Sequence, residues 1–437
     1  MFLTRTKNRW PLVHEINQLS PLCTYIKLQP SMTEGGSPKY LLEVLLMEVV
    51  AESVAGIDVH QKQITVTILI GTEDMKKPKK VSKLFGTTTR MLKECGTWLS
   101  EHEVEQVLME STGQYWRPVW QILESYGFCM ILCNPRITKN IPGKKTDQKD
   151  SEWLSELARY GLVSASYVPP RDIQEIREST RTLKKIKESM TRTKNEIHNI
   201  LQRSNIKLTR FISDIFKGSV LKLLNMIING EILTLDSVTK HMHGRLKASP
   251  EQILESMDGV LSRNDRNLLV IHMKLLDGYL ECVAELDNLI GGQTVKYAEL
   301  CHRLEDVPGI STTTAQIVIA EIGVDVSPFP DVHHLASWAG LCPGNYESAG
   351  VKHGSAILHG NVYLKRALVT AAMGAKITKE TGLKDYFWRL KSRMCAQKAL
   401  IALAHKMLRI IYSLIKSGKT YREYKKDQRK ALASVNL

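Results

Sequence analysis

Apolar and polar positions begin to alternate in an ordered way at Val54. The run Val54-Ala-Gly-Ile-Asp-Val59 and the β-branched run Ile64-Thr-Val-Thr-Ile-Leu-Ile70 are parted by the polar Gln61-Lys-Gln63, which predicts a hairpin. A third strand is expected at 80–88, after the charged loop Glu73 to Lys79. Met91, Leu92, Cys95 and Leu99 share one helical face, predicting a helix over Thr89–Glu101. Val104–Met109 predicts a fourth strand ending at Glu110, Thr112-Gly-Gln-Tyr-Trp-Arg-Pro opens a helix carrying Val119, Ile122 and Leu123, and Gly127–Asn134 predicts a fifth strand.

The order strand, strand, strand, helix, strand, helix, strand, helix matches an α/β ribonuclease H-like core. Beyond it the period changes. Ile176, Leu183, Met190 and Ile197 recur every seven residues, with companions at Ile173, Thr180, Lys187, Lys194 and Leu201, predicting one long helix over 171–205. The polar companions in the middle of the seam suit register fixing, and the helix reads as an arm for self-association. Residues 220–300 continue as amphipathic helices, and a mainly helical module begins near Leu304. Residues 1–50 show no clear pattern and form an unassigned extension.

Charge adds a partner to this picture. The 437 residues hold 60 Lys and Arg against 45 Asp and Glu, a formal charge of +15, which favours a polyanion, nucleic acid before membrane. The excess is concentrated: residues 171–210 carry eleven Lys and Arg against five acids, and Lys384 onward fourteen against three, so both segments suit phosphate contacts. Solubility alone is the plainer reading of such charge. Eight cysteines without a CxxC pair indicate neither a zinc site nor a disulfide framework, and Cys129 and Cys133 fall in an apolar run that reads as core. With no signal peptide and no apolar stretch of spanning length, a soluble protein of a prokaryotic cytoplasm, associated with the nucleoid, is expected.

Four carboxylates carry the candidate chemistry. Asp58 lies in the first strand, Glu110 ends a later one, and Asp147 and Asp150 sit in Thr146-Asp-Gln-Lys-Asp-Ser-Glu-Trp-Leu. If that segment starts a helix, a spacing of three puts both aspartates on one face, roughly 60° apart. Phosphodiester chemistry in such a core uses two hard divalent cations about 3.5–4 Å apart, and these demand oxygen ligands. Taken singly, each acid would more often be a helix cap or a surface charge. The combination is what points to a metal site.

In the second module, Val307-Pro-Gly-Ile-Ser-Thr-Thr-Thr places a Pro-Gly turn before a helix, whose amides suit a phosphate, although a plain turn between helices fits nearly as well. Ser348 lies in the small-residue loop Ser-Ala-Gly, where backbone or phosphate can approach closely. Loop serines are usually turn formers, and no general base stands near it in sequence.

The phrases Gly-Ile-Asp-Val-His (56–60), Glu-Ser-Thr-Gly-Gln-Tyr-Trp (110–116), Pro-Gly-Lys-Lys-Thr-Asp-Gln-Lys-Asp (142–150), Ala-Glu-Ile-Gly (320–323), Ala-Gly-Leu-Cys-Pro-Gly (339–344) and Gly-Asn-Val-Tyr-Leu-Lys-Arg (360–366) strongly resemble the DEDD-type insertion-sequence transposases. The resemblance runs in order from about 54 to 410. It implies an N-terminal RuvC-like domain (51–168), a helical arm (169–300), a serine-bearing transposase domain (301–395) and a basic tail (396–437). It further implies a recombinase that excises and inserts its own mobile element, with Asp58, Glu110, Asp147 and Asp150 holding Mg2+, or alternatively Mn2+. Ser348 matches the family's nucleophile, giving a covalent phosphoserine link to DNA, with Ser355 in His353-Gly-Ser a weaker competitor. The family implies a structured guide RNA pairing with donor and target DNA, and dimers that pair into tetramers, which allows a composite site drawing carboxylates and serine from different subunits. Lys144, Lys145, Lys149, Lys365 and Arg366 are the expected phosphate contacts. Two rival readings are a junction-resolving nuclease that uses water, with Ser348 structural, and a non-catalytic nucleic-acid-binding protein retaining the fold.

Overall fold

The computed structural model describes residues 49–435 apart from 73, 74, 76, 136–146, 243–247, 344, 345, 349, 350, 355, 356, 358 and 380, with the backbone alone at 147–149, 346–348, 351–354, 381 and 432–435. Two compact units result: one through Pro169 together with Ser327–His334, the other Pro170–Val326 with Leu335–Leu437.

In the first unit, β1 (Ser53–Val59), β2 (Gln63–Ile70), β3 (Lys79–Gly86), β4 (Gln106–Glu110) and β5 (Cys129–Cys133) form one mixed sheet in the order β3-β2-β1-β4-β5. The β1–β2 and β2–β3 pairs are antiparallel, while β4 lies parallel to β1 and β5 parallel to β4. This α/β arrangement fits the ribonuclease H-like core expected from the pattern. The third strand stops at Gly86 rather than 88, because the Thr88 hydroxyl accepts from the Met91 amide and caps α1 (Thr89–Glu101).

Strand alternation sorts the core into two layers. Ala55, Ile57, Val59, Val107 and Met109 pack with Leu92, Cys95 and Leu99 of α1 and with Val119 and Leu123 of α2 (Trp116–Leu123). Trp116 is packed against this cluster and meets Trp120 edge-on, with ring centroids 6.0 Å apart. On the opposite face Val54, Leu108 and Cys133 pack with Leu154, Leu157 and Ala158 of α3 (Asp147–Arg159).

In the second unit the long helix appears as α4 (Arg171–Arg203). Its seam residues Ile173, Ile176, Thr180, Leu183, Ile197 and Leu201 are buried. The long helix lying against α4 is the chain's own α8 (Arg263–Thr294), so the seam read as an arm for self-association is filled within the unit. The pair runs antiparallel: Arg203 at the end of α4 binds Asp265 at the start of α8, and Asp172 at the start of α4 binds Lys296 just beyond α8. Between them α5 (Gly218–Ile228), α6 (Leu235–His241) and α7 (Pro250–Ser256) close a second core around Ile197, Leu201, Leu224 and Leu276.

Then follow α9 (Ala298–Glu305), α10 (Thr312–Ile322), α11 (Val332–Trp338), the hairpin β6 (Tyr346–Ser348) and β7 (Val351–Gly354), α12 (Val362–Ala375), α13 (Thr381–Lys391), α14 (Ala396–Ser417) and α15 (Tyr421–Val435). Among the described residues no helix is long and apolar enough to cross a membrane.

Candidate active site: a carboxylate cluster and a serine hairpin

Period-two alternation puts Asp58 on the same face as Val54 and Gly56, and Glu110 on the same face as Leu108. Because β1 and β4 are parallel neighbours, with Ile57 opposite Met109, both acids reach the same edge of the face that α3 covers. The helix comes in very close there. A methyl group on Gly56 would lie 2.2 Å from the Ser151 carbonyl oxygen and 2.3 Å from the Ser155 nitrogen, so only glycine allows this contact. Opposite Gly56 in the sheet, Thr67 joins its hydroxyl to that of Ser151 at 2.8 Å. Buried Arg159 secures the far end of α3 by donating to the carbonyls of Glu52 (3.3 Å) and Thr72 (3.0 Å).

This approach brings the next turn of α3, with Asp150, to Asp58. Burial is the main cause that pushes the Asp58 carboxyl above its ordinary value, and the negative charges of Asp150 and Glu110 push the same way. His60 opposes them, its Nε2 lying 2.9 Å from Asp58 Oδ2. Glu110 also acts on the buried Cys133 thiol, which burial chiefly, then that charge, pushes up to about 12. Asp58, Glu110 and Asp150 are thus electrostatic neighbours. Asp147 opens α3 one turn before Asp150, but its side chain lies outside the described residues, as does that of Lys149. Lys144, Lys145 and Ser355 lie wholly outside them.

Among the described residues no three His, Cys, Asp or Glu side chains stand close enough together to grip one metal ion. The donor set nevertheless suits a hard cation. It consists of carboxylate oxygens, hard donors, and a divalent ion would offset the negative charge that Asp150 and Glu110 set around Asp58. His60 was not singled out from the sequence, although it stands two residues after Asp58 in the phrase Gly-Ile-Asp-Val-His.

Ser348 lies at the end of a strand rather than in a loop, paired with Val351 across the β6–β7 hairpin. The hairpin's base is pinned by backbone. Pro343 bridges to Ile357, Asn361 N donates to the Trp338 carbonyl (3.0 Å), and a Cβ on Gly360 would fall 2.2 Å from the Gly340 nitrogen. Asn361 then caps α12, its Oδ1 accepting from Tyr363 N and Leu364 N, both at 3.0 Å.

The Asn361 amide also donates to Glu321, which is fully buried at the end of α10. Arg181 meets the same carboxylate in a two-pronged pair (2.7 and 2.6 Å), and Arg177 donates to the carbonyls of Ala320 and Glu321, both at 2.8 Å. One buried acid thereby ties α4, α10 and the start of α12 together. The Pro-Gly turn before α10 is also packed: Gly309 has φ +89 and sits where a Cβ would be 2.2 Å from the Ala371 carbonyl of α12. Lys365 and Arg366, on the first turn of α12, line a cleft of about 420 Å3 with Lys184, Val362, Val369 and Thr370.

A mixed five-stranded α/β sheet with acids on β1 and β4 beneath α3 fits a ribonuclease H-like fold. Comparison with known proteins narrows this. Residues 55–206 match the family model for DEDD transposases of the IS110 type, and residues 301–387 match that of the transposase IS116/IS110/IS902 family. An IS110 insertion-element protein of 43.6 kDa from Streptomyces coelicolor is 25% identical over 309 residues, covering 66% of this chain and 75% of the relative. The transposase of insertion sequence IS1111A from Coxiella burnetii is 23% identical over 327 residues, 72% and 79% respectively. A pilin gene-inverting protein from Moraxella bovis is 29% identical over 148 residues, 32% of this chain and 45% of that protein. The chain belongs to the IS110 family of transposases, enzymes of DNA transposition and recombination.

Proposed function

We propose that the protein cuts and rejoins DNA strands to move its own insertion sequence, guided by an RNA, with Mg2+ held by Asp58, Glu110, Asp147 and Asp150 and with Ser348 as nucleophile. The observation that supports this reading is that Asp58 and Glu110 reach the same edge of the sheet beneath α3, and that the charges of Asp150 and Glu110 both act on Asp58. Bound divalent ions supply Lewis-acid stabilisation of charge developing on a phosphate. His60 holds one Asp58 oxygen and so orients the carboxylate, while the α3 contact at Gly56 sets the spacing.

At Ser348 the hydroxyl oxygen gives up its proton and forms an ester to phosphorus as one DNA P–O bond breaks, and the departing sugar oxygen takes up a proton in its place, so that no net proton is consumed. Rejoining reverses those changes. The pinned hairpin restricts the serine's motion, which favours attack by lowering the entropy lost on reaching reactive geometry. Lys365 and Arg366, in the cleft at the start of α12, and Lys144, Lys145 and Lys149 ahead of and within α3 fit phosphate contacts.

Self-association is supported on a different face from the one first expected. On α8, Ile271, Leu275, Cys282 and Leu289 follow steps of four and seven, Cys282 is exposed, and Ile271, Leu275 and Leu289 are about half exposed (53%, 47% and 50%). A second copy of α8 would bury this outer seam in a coiled coil.

Trapping the protein on a suicide DNA substrate tests the serine. A covalent adduct is expected with the natural chain and with Ser355→Ala, and none with Ser348→Ala. If Ser348→Ala still cuts and rejoins strands at the normal rate, water-driven resolution replaces this mechanism. Sequencing of RNA that copurifies with the protein is expected to return a transcript from the DNA flanking its gene. RNA of random cellular origin would refute guidance.

A further inference from the structure

Several cations in the second unit pair with acids, among them Arg177 and Arg181 with Glu321, Arg203 with Asp265, Lys296 with Asp172 and Lys419 with Asp427. At the junction of α13 and α14 cations gather instead on an aromatic ring. Lys406 of α14 places its ammonium 4.1 Å from the centroid of the Tyr386 ring, and Arg389, one turn beyond Tyr386 on α13, lies 5.7 Å from the same ring. Arg409 follows Lys406 by one turn on α14 and acts electrostatically on both Lys406 and Tyr424 of α15. Among the described residues none of these three cations forms an ion pair. Arg389 and Arg409 are exposed, and Lys406 and Tyr386 are half-buried.

Two cations at one aromatic ring, with a third one helical turn away, repel one another. Burial first, then the charges of Arg389 and Arg409, hold the Lys406 ammonium below its ordinary value. Solvent alone offers a weak reason to collect cations from two helices at one point. A multivalent anion offers a strong one, because each cation it neutralises also relieves its neighbours.

We propose that Arg389, Lys406 and Arg409 form a seat for a nucleic-acid phosphodiester backbone, built from residues other than the carboxylate cluster and the Lys365–Arg366 cleft. Its chemistry is that of adjacent phosphates, common to RNA and DNA. The Tyr386 face is covered by Lys406, so the site grips backbone and does not stack a base. The proposal rests on the reading of the protein as a nucleic-acid recombinase and adds to it a surface with no part in the chemical step.

The test measures binding of the full-length protein to duplex DNA, single-stranded DNA and RNA over a range of salt. The variants are Arg389→Gln/Lys406→Gln/Arg409→Gln and a control set, Lys207→Gln/Lys240→Gln/Lys274→Gln, at exposed positions elsewhere in the unit. Each phosphate contact contributes about 0.9 to the slope of log affinity against log salt for duplex DNA and about 0.7 for single strands. The site variant is expected to lose roughly two to three such increments on at least one nucleic acid, with the control unchanged. A loss confined to RNA assigns the seat to RNA, and a loss confined to DNA assigns it to DNA. Equal losses in both variants, or slopes unchanged on all three ligands while the natural chain binds, would overturn the proposal and leave the recombinase reading intact. Failure of the natural chain to bind any nucleic acid would overturn both. Should the triple variant fold poorly, the exposed single change Arg409→Gln carries the same test with an expected shift of about 0.7–0.9.

Discussion

Arg181 and Glu321 form a two-pronged pair across 140 residues of chain, Nε to Oε1 at 2.7 Å and Nη2 to Oε2 at 2.6 Å. The carboxylate is fully buried, while the guanidinium keeps about a third of its side chain exposed (32%) and stacks 4.6 Å from the Tyr363 ring. The pair fixes α10 to α4, and through Asn361 it fixes the start of the helix that follows the serine hairpin.

Glu321→Gln is expected to destabilise the protein by about 1.5–3 kcal/mol, because the partly buried guanidinium groups of Arg177 and Arg181 lose their counter-charge and a charge-assisted hydrogen bond. Chemical denaturation checks this. Strand joining should fall further than fold content, since the loosened Asn361 cap releases the hairpin base. Equal stability of the variant and the natural chain would show that the pair is dispensable.

Gly56→Ala is expected to force α3 away from β1, since the new methyl meets backbone on both sides. Overpacking of this kind costs about 1–3 kcal/mol. A melting curve should record the loss, and DNA cleavage should require more divalent cation because Asp150 is displaced from Asp58. A variant with unaltered cation dependence would separate the helix contact from the site.

Asp58→Asn is expected to act in opposite directions with and without metal. Without divalent cation, the variant gains stability because a partly buried charge disappears, and with it the repulsion from Asp150 and Glu110. With Mg2+ or Mn2+ added, the natural chain rises in melting temperature through linkage and the variant rises less. Parallel shifts in both proteins would remove Asp58 from the metal site.

Cys95 provides a pH reading of the sheet core. Burial pushes its thiol from the ordinary 9.0 to about 12, with Lys83 pulling slightly the other way. The unfolded chain therefore ionises first, and the contribution of this group to stability is complete below about pH 9 and lost as pH rises towards 12. Thiol labelling of the native protein at pH 8.5 should modify exposed Cys282 and Cys395 and leave Cys95 unmodified until denaturant is added. Labelling of Cys95 at the rate of the exposed thiols would contradict the packing described.

Much of the first unit was legible because its signals are local. The alternation around Asp58 and Glu110 fixes both strand and face, and the α1 boundaries follow from Thr88 and the apolar stripe. The seven-residue repeat gave α4 within two residues of its end, but a repeat names a buried stripe without naming its partner. The filling of that stripe by α8 depends on contacts roughly a hundred residues away, which no window of sequence contains. The β6–β7 hairpin went unread because Tyr-Glu-Ser and Val-Lys-His are short and largely polar, and the Ala-Gly between them lacks the Asn-Gly or Asp-Gly signature of a two-residue turn. Glu321 stood out as one charge in the apolar run Ile317-Val-Ile-Ala-Glu-Ile, yet its partners are distant in sequence.

The two clasps of the α4–α8 pair lie near its opposite ends, Asp172 with Lys296 and Arg203 with Asp265. A helix of 33 residues is about 50 Å long, comparable to some fifteen base pairs of duplex. Sliding one helix past the other by a single turn would break both clasps at once, so neither end can yield alone. Such a pair behaves as a strut of fixed length: a load applied at one tip arrives at the other as displacement of the whole rod, with little taken up by bending between them.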